Sequence, residues 1–169
     1  MLERINNKVH LDKVSLEEVA KEFGTPCYVY SKSSITTEFL DYKEAFSECA
    51  NVKICYSVKA NSNINILKTF KELGAGFDIV SLGELERLKL INADPKKIVF
   101  SGVGKTSNEL NYAINKNILL INAESKSEII EIEKIAKSKK KYDKNGNIAK
   151  SGKVKTHIRN KDPEKRPGK

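Results

Sequence analysis

No stretch of about 18 uncharged apolar residues occurs anywhere in the chain, so no helix is expected to span a membrane. The opening MLERINNKVHLDKVSLEEVA carries acids where a secretory leader needs a bare apolar run, and none is expected here. Histidine appears only as His10 and His157, and neither has a ligand partner at metal spacing. Cys27, Cys49 and Cys55 match no metal-ligand spacing and cannot all pair, which favours a reducing, cytoplasmic setting.

What is present is ordinary globular material. The chain has 169 residues, 39% of them apolar and 31% charged, which is too apolar for wholesale disorder. Its net charge of +9 is unevenly placed. Residues 137–169 hold 13 Lys and Arg against 3 acids, whereas residues 1–136 hold 18 basic against 19 acidic residues. A near-neutral body therefore precedes a strongly basic tail.

Within the body one pattern recurs: a short β-rich run, a capped turn, then an amphipathic helix. VKICYSVKA (52–60) alternates, with Val52, Ile54, Tyr56 and Val58 on one face and Lys53, Cys55, Ser57 and Lys59 on the other. Ile64, Leu67 and Phe70 then follow at helical spacing, and Gly74 sits where a C-cap glycine belongs. GFDIV (76–80), IVFSG (98–102) and ILLIN (118–122) are the next strands. Ser81/Glu84, Thr106/Glu109 and Ser125/Glu128 each spell a capping box before the helix that follows. Lys59, Asp78, Phe100 and Leu120 are 19, 22 and 20 residues apart, a spacing that predicts an α/β fold of about four βα units on a parallel sheet. A doubly wound sheet and a β/α barrel both fit. The small, polar face of the first strand suits a barrel interior, but four units make only half of a closed barrel.

Two residues stand out chemically. Lys59 lies at the C-terminal end of a strand, the edge where α/β folds bind ligands. A partly desolvated lysine there could attack a carbonyl and form a Schiff base; the structural alternative is a lysine that snorkels from the strand end into water. Asp78 ends the next strand at the same edge. It could orient Lys59, balance its charge or contact a bound ring, or it could simply cap a helix or turn. Gly102-Val-Gly104-Lys105-Thr106 suggests a phosphate loop, but Val99 stands where that loop needs its first glycine, so a plain strand-to-helix turn is predicted. The alternation through Cys27, Tyr28, Val29 and Tyr30 predicts a packed strand.

At these residues the chain resembles the diaminopimelate decarboxylases, within the fold-type III pyridoxal-phosphate-dependent decarboxylases. The match runs through Thr25–Tyr30, then Tyr56-Ser-Val-Lys-Ala-Asn-Ser-Asn63, then Gly74-Ala-Gly-Phe-Asp-Ile-Val-Ser81 with Gly83-Glu-Leu85. It continues through Phe100–Thr106 and Ile121–Ser125, covering about residues 20–137 in order. The resemblance implies part of an alanine-racemase-like β/α (TIM) barrel with pyridoxal 5'-phosphate as cofactor. Lys59 matches the lysine that joins the cofactor, and Asp78 matches the acid beside it. The implied reaction is decarboxylation of meso-2,6-diaminopimelate to L-lysine and CO2 by a homodimer, without membrane or nucleic acid.

The resemblance also places a ring-stacking histidine, a glycine-rich phosphate cradle, a glutamate at the pyridine nitrogen and a β-domain later in the chain than this sequence extends. The expected organisation is an N-terminal segment and leading strand at 1–33, a partial cofactor-binding barrel at 34–137, and a basic, disordered or frame-disrupted tail at 138–169. The expectation is a truncated, catalytically inactive decarboxylase. The competing accounts are a nucleic-acid-binding module using the basic tail, and a non-catalytic cofactor-binding barrel protein. His157-Ile158-Arg159-Asn160 resembles the family's next strand, against a coil reading for the same residues.

Overall fold

A computed structural model describes residues 2–138 and the backbone of 156–158. The chain divides into two compact units, Met1–Val52 and Lys53–Lys169.

The first unit opens with an antiparallel meander, β1 (Leu2–Ile5), β2 (Lys8–Leu11) and β3 (Val14–Ser15). Its two reversals are made by Asn6-Asn7 and Asp12-Lys13, all four at positive φ, the backbone that tight two-residue hairpins require and that Asn and Asp tolerate. Helices α1 (Leu16–Phe23) and α2 (Lys32–Ala45) follow, and the Ser31 hydroxyl caps α2 by accepting from the Ser34 amide. The packed strand predicted at Cys27–Tyr30 is not formed. No strand pairs with these residues among those described, and Tyr28 is 92% exposed. Alternation marks a two-faced segment, but the pairing that makes it a strand comes from elsewhere.

The second unit is a βα succession. It contains β4 (Cys55–Ser57), α3 (Ile64–Glu72), β5 (Gly76–Ile79), α4 (Leu82–Leu90), β6 (Ile98–Phe100), α5 (Ser107–Lys116), β7 (Leu120–Ala123), α6 (Lys126–Ser138) and β8 (Thr156–Ile158). All adjacent strands pair in parallel, in the order β4-β5-β6-β7-β8. Neighbours in space are thus neighbours in sequence. A doubly wound sheet reverses direction at a switch point, whereas a β/α barrel adds each strand to the last. The order decides for the barrel.

β8 lies inside the segment expected to be unstructured. Thr156, His157 and Ile158 pair with Ile121, Asn122 and Ala123, so the resemblance noted at His157-Ile158 corresponds to a real strand. Lysine-rich flanks and a three-residue span left no periodicity for the pattern to reveal. The rest of the tail, including Tyr142, Arg159 and Asn160, lies outside the described residues.

Strand alternation sorts the side chains. Phe77, Ile79, Ile98, Phe100, Ile121 and Ala123 are buried against Leu67, Leu85, Leu88, Leu110 and Ile132 of the helices. Asp78, Val99 and Asn122, at the alternate positions, line the opposite side. Gly76 has a steric reason: a Cβ there would lie 2.6 Å from the Cys55 sulfur and 2.7 Å from the Lys97 carbonyl oxygen. After α3, the Gly74 amide donates to Lys71 and the Ala75 amide to Phe70, with Gly74 at φ +87°, the helix ending its sequence predicts.

Candidate active site

A cavity of about 500 Å3 opens at the C-terminal ends of the parallel strands, lined by Cys55, Lys59, Asp78, Val80, Val99, Ser101, Gly102 and Asn122. Its size is that of a small-molecule site. Both residues singled out from sequence, Lys59 and Asp78, contribute to this one lining.

Lys59 reaches it differently from expected. The β4–β5 pairing ends at Ser57 opposite Asp78, and Val58–Ala60 then turn as a short 3-10 helix. Val58 is fully buried and anchors the turn, which leaves Lys59 exposed at the cavity rather than partly withdrawn from water within a strand. The Tyr56 ring stacks on Phe70 at 3.9 Å, and its hydroxyl donates to the Asn61 carbonyl at 3.1 Å, fixing the loop after Lys59. Asn61 and Asn63 are local builders. Their side-chain oxygens accept from the amides of Asn63 and Asn65, each at 2.9 Å.

Asp78 sits within β5, and among the described residues it caps no helix. Ser81 caps α4, accepting from the Glu84 amide, while the Glu84 carboxylate accepts from the Val80 amide at 2.8 Å. Asp78 instead accepts a hydrogen bond from the buried Ser101 hydroxyl, and Ser101 accepts from the Asn122 side-chain amide at 2.8 Å. Ser101 and Asn122 were not among the sequence candidates. Their signal was the strand-end position itself, the same signal that marks Lys59 and Asp78. Burial, followed by the negative charge of Asp78, pushes the Cys55 thiol up from its ordinary pKa and so disfavours its thiolate.

The Gly102–Thr106 segment is the strand-to-helix turn its sequence predicts. Lys105 points inward, donating to the carbonyls of Gly102 (2.6 Å) and Asn122 (2.8 Å) and to Glu128 (2.9 Å). Thr106 and Glu109 form a complete capping box. In the Ser125/Glu128 turn the carboxylate reaches one residue further back, to the Glu124 amide at 2.7 Å, matching the Ser81/Glu84 arrangement.

The chain matches the family described as pyridoxal-dependent decarboxylase, pyridoxal binding domain, over residues 32–158. It belongs to that family. Membership implies pyridoxal 5'-phosphate as cofactor, and the cavity holds a fitting pair of groups, the Lys59 primary amine and the Asp78 carboxylate.

Among individual relatives, the chain is 46% identical over 125 residues to a diaminopimelate decarboxylase of Neisseria meningitidis, covering 74% of this chain and 30% of that protein. A diaminopimelate decarboxylase of Aquifex aeolicus is 45% identical over 135 residues, covering 80% and 31%. The chain thus spans about a third of the length of these relatives. The crystal structure of the Helicobacter pylori diaminopimelate decarboxylase complexed with L-lysine superposes with a TM-score of 0.69 at 45% identity, over 73% of this chain and 31% of that one. An arginine decarboxylase of Paramecium bursaria Chlorella virus, at 23% identity and a TM-score of 0.63 over 71% and 32%, shares the fold. Among the described residues no helix is long and apolar enough to cross a membrane.

Proposed function

We propose that this chain supplies Lys59 and Asp78 to the cofactor site of a diaminopimelate decarboxylase, which converts meso-2,6-diaminopimelate to L-lysine and CO2. The observation that carries the reading is the convergence of Lys59 and Asp78 on one cavity at the C-terminal edge of a barrel-ordered sheet. The names of the relatives at 40–47% identity supply the substrate class. Under this reading the substrate is a small amino acid, the full-length form is a homodimer, and the setting is the reducing cytoplasm, in keeping with three free cysteines.

Each residue has a chemical part. Pyridoxal phosphate, when bound, supplies the electron sink for the pair left behind as the carboxylate departs. Lys59 would hold the cofactor through Nζ, and the same atom could hold or move a proton there. Asp78 presents a carboxylate to the cavity in an orientation that Ser101 sets. Phe100, Ile79 and Val58 are buried in the hydrophobic core rather than in the cavity lining.

Competition at Lys59 tests the substrate. The chain is loaded with pyridoxal phosphate, treated with meso-diaminopimelate or L-ornithine, and then reduced with borohydride. The reading predicts that meso-diaminopimelate lowers the label left on Lys59 more than equimolar L-ornithine does. Equal or greater displacement by L-ornithine would overturn the diaminopimelate assignment.

A further inference from the structure

A serine hydroxyl carries one proton, and Ser101 has two polar neighbours that claim it. One is Asp78, a carboxylate that only accepts; the other is Asn122, whose amide can face Ser101 with either end. If the Asn122 oxygen faced Ser101, two acceptors would compete for a single proton. With the amide nitrogen there, as the structure places it, Asn122 donates at 2.8 Å and the Ser101 proton goes to Asp78. The chain of donors runs one way, from Asn122 through Ser101 to Asp78.

The ends of this chain are fixed from behind. Lys105, its side chain 1% exposed, holds the carbonyls of Asn122 and Gly102, so the end of β7 and the residue after Ser101 are tied to one ammonium group. The Ser101 amide donates to the Ile79 carbonyl at 2.7 Å, which keeps Ser101 beside the strand that carries Asp78. The arrangement leaves Asn122 Oδ1 buried without a hydrogen-bond partner, a costly state in ordinary cores. A buried polar group kept at such a cost is better explained by a task than by packing.

We infer that Ser101 and Asn122 are positioning residues that hold the Asp78 carboxylate toward the Lys59 cavity through a one-directional hydrogen-bond relay. The inference rests on the cofactor-site reading for its purpose but not for its geometry. Neither residue needs to touch the cofactor. Ser101 sets the direction in which Asp78 presents its charge, and Asn122 sets the direction in which Ser101 points its proton.

Two readouts on the full chain test it. The first needs no cofactor: side-chain amide exchange of Asn122 by NMR. The relay predicts a protected Asn122 amide proton that Ser101→Ala loses and Ser101→Thr retains. The second is the pyridoxal phosphate concentration that half-saturates borohydride labelling of Lys59. This should rise about tenfold in Ser101→Ala, the scale of one hydrogen bond to a charged group, and return toward the parent value in Ser101→Thr. Asn122→Asp, which replaces the donor by a second acceptor, should weaken labelling at least as much. Thermal melting of each variant separates this from unfolding. An Asn122 amide that exchanges identically in the parent and Ser101→Ala would overturn the relay. Failure of the parent chain to label at Lys59, with the protected amide still lost in Ser101→Ala, would contradict the cofactor-site reading and uphold the relay.

Discussion

The Lys105 ammonium lies 2.9 Å from a Glu128 carboxylate oxygen, with the two side chains only 1% and 8% exposed. Its two other donors go to the backbone carbonyls of Gly102, just past β6, and Asn122, within β7, so this one side chain ties the two neighbouring strands together beside the cavity. The Lys105 Nζ atom also stands 5.7 Å from the centre of the Phe100 ring.

Removing one partner of such a pair strands the other charge in the interior. Lys105→Met is therefore predicted to cost about 3–5 kcal/mol, and the Lys105→Met/Glu128→Leu double substitution to recover a large part of it. Urea denaturation of the single and double variants measures this. A single variant within 1 kcal/mol of the parent (roughly the value of a surface pair) would show that the pair is not buried in solution.

Asp78 should be visible through Cys55. Burial is the larger cause of the raised Cys55 thiol, and the Asp78 charge adds to it. Asp78→Asn removes the like charge and is predicted to lower the midpoint of Cys55 alkylation by iodoacetamide, measured with the exposed Cys27 and Cys49 replaced by serine. An unchanged midpoint would place the carboxylate away from Cys55.

The Glu109 carboxylate titrates below the usual glutamate range, chiefly because it accepts from the Thr106 amide; burial opposes this, and the Thr106 hydroxyl and the Leu82 amide add to the lowering. A group with a depressed folded-state pKa contributes stability above its unfolded value and loses it as pH falls through the folded value. Glu109→Gln should therefore flatten the acid side of the stability profile and reduce stability at neutral pH. Urea midpoints measured in steps from neutral pH to below the ordinary glutamate pKa check this. Parallel profiles would contradict it.

The legible parts of this chain were those written in local patterns. The spacing of Lys59, Asp78, Phe100 and Leu120 gave the βα succession, and Thr106/Glu109 gave a capping box that the structure contains in full. At Gly102–Thr106 the sequence predicts a strand-to-helix turn, and the structure has one, with Lys105 turned onto Gly102, Asn122 and Glu128. What escaped depends on partners distant in sequence. Tyr28 and Tyr30 alternate like strand residues, yet pairing is a property of two segments. The barrel winding needed strand order, which spacing does not encode. Thr156–Ile158 pairs with β7 across a stretch whose sequence has no apolar rhythm. Ser101 and Asn122 carry no chemistry of their own and become notable only when the β5–β6–β7 register brings them to Asp78.

The central claim is that Lys59 is the amine to which the cofactor attaches, and borohydride trapping tests it directly. The chain is incubated with pyridoxal phosphate, reduced, digested and mapped by mass beside a Lys59→Ala control. The predicted result is one dominant pyridoxyl label on Lys59 that the substitution removes. Label scattered over the many lysines of residues 137–169, unchanged in Lys59→Ala, would contradict the account.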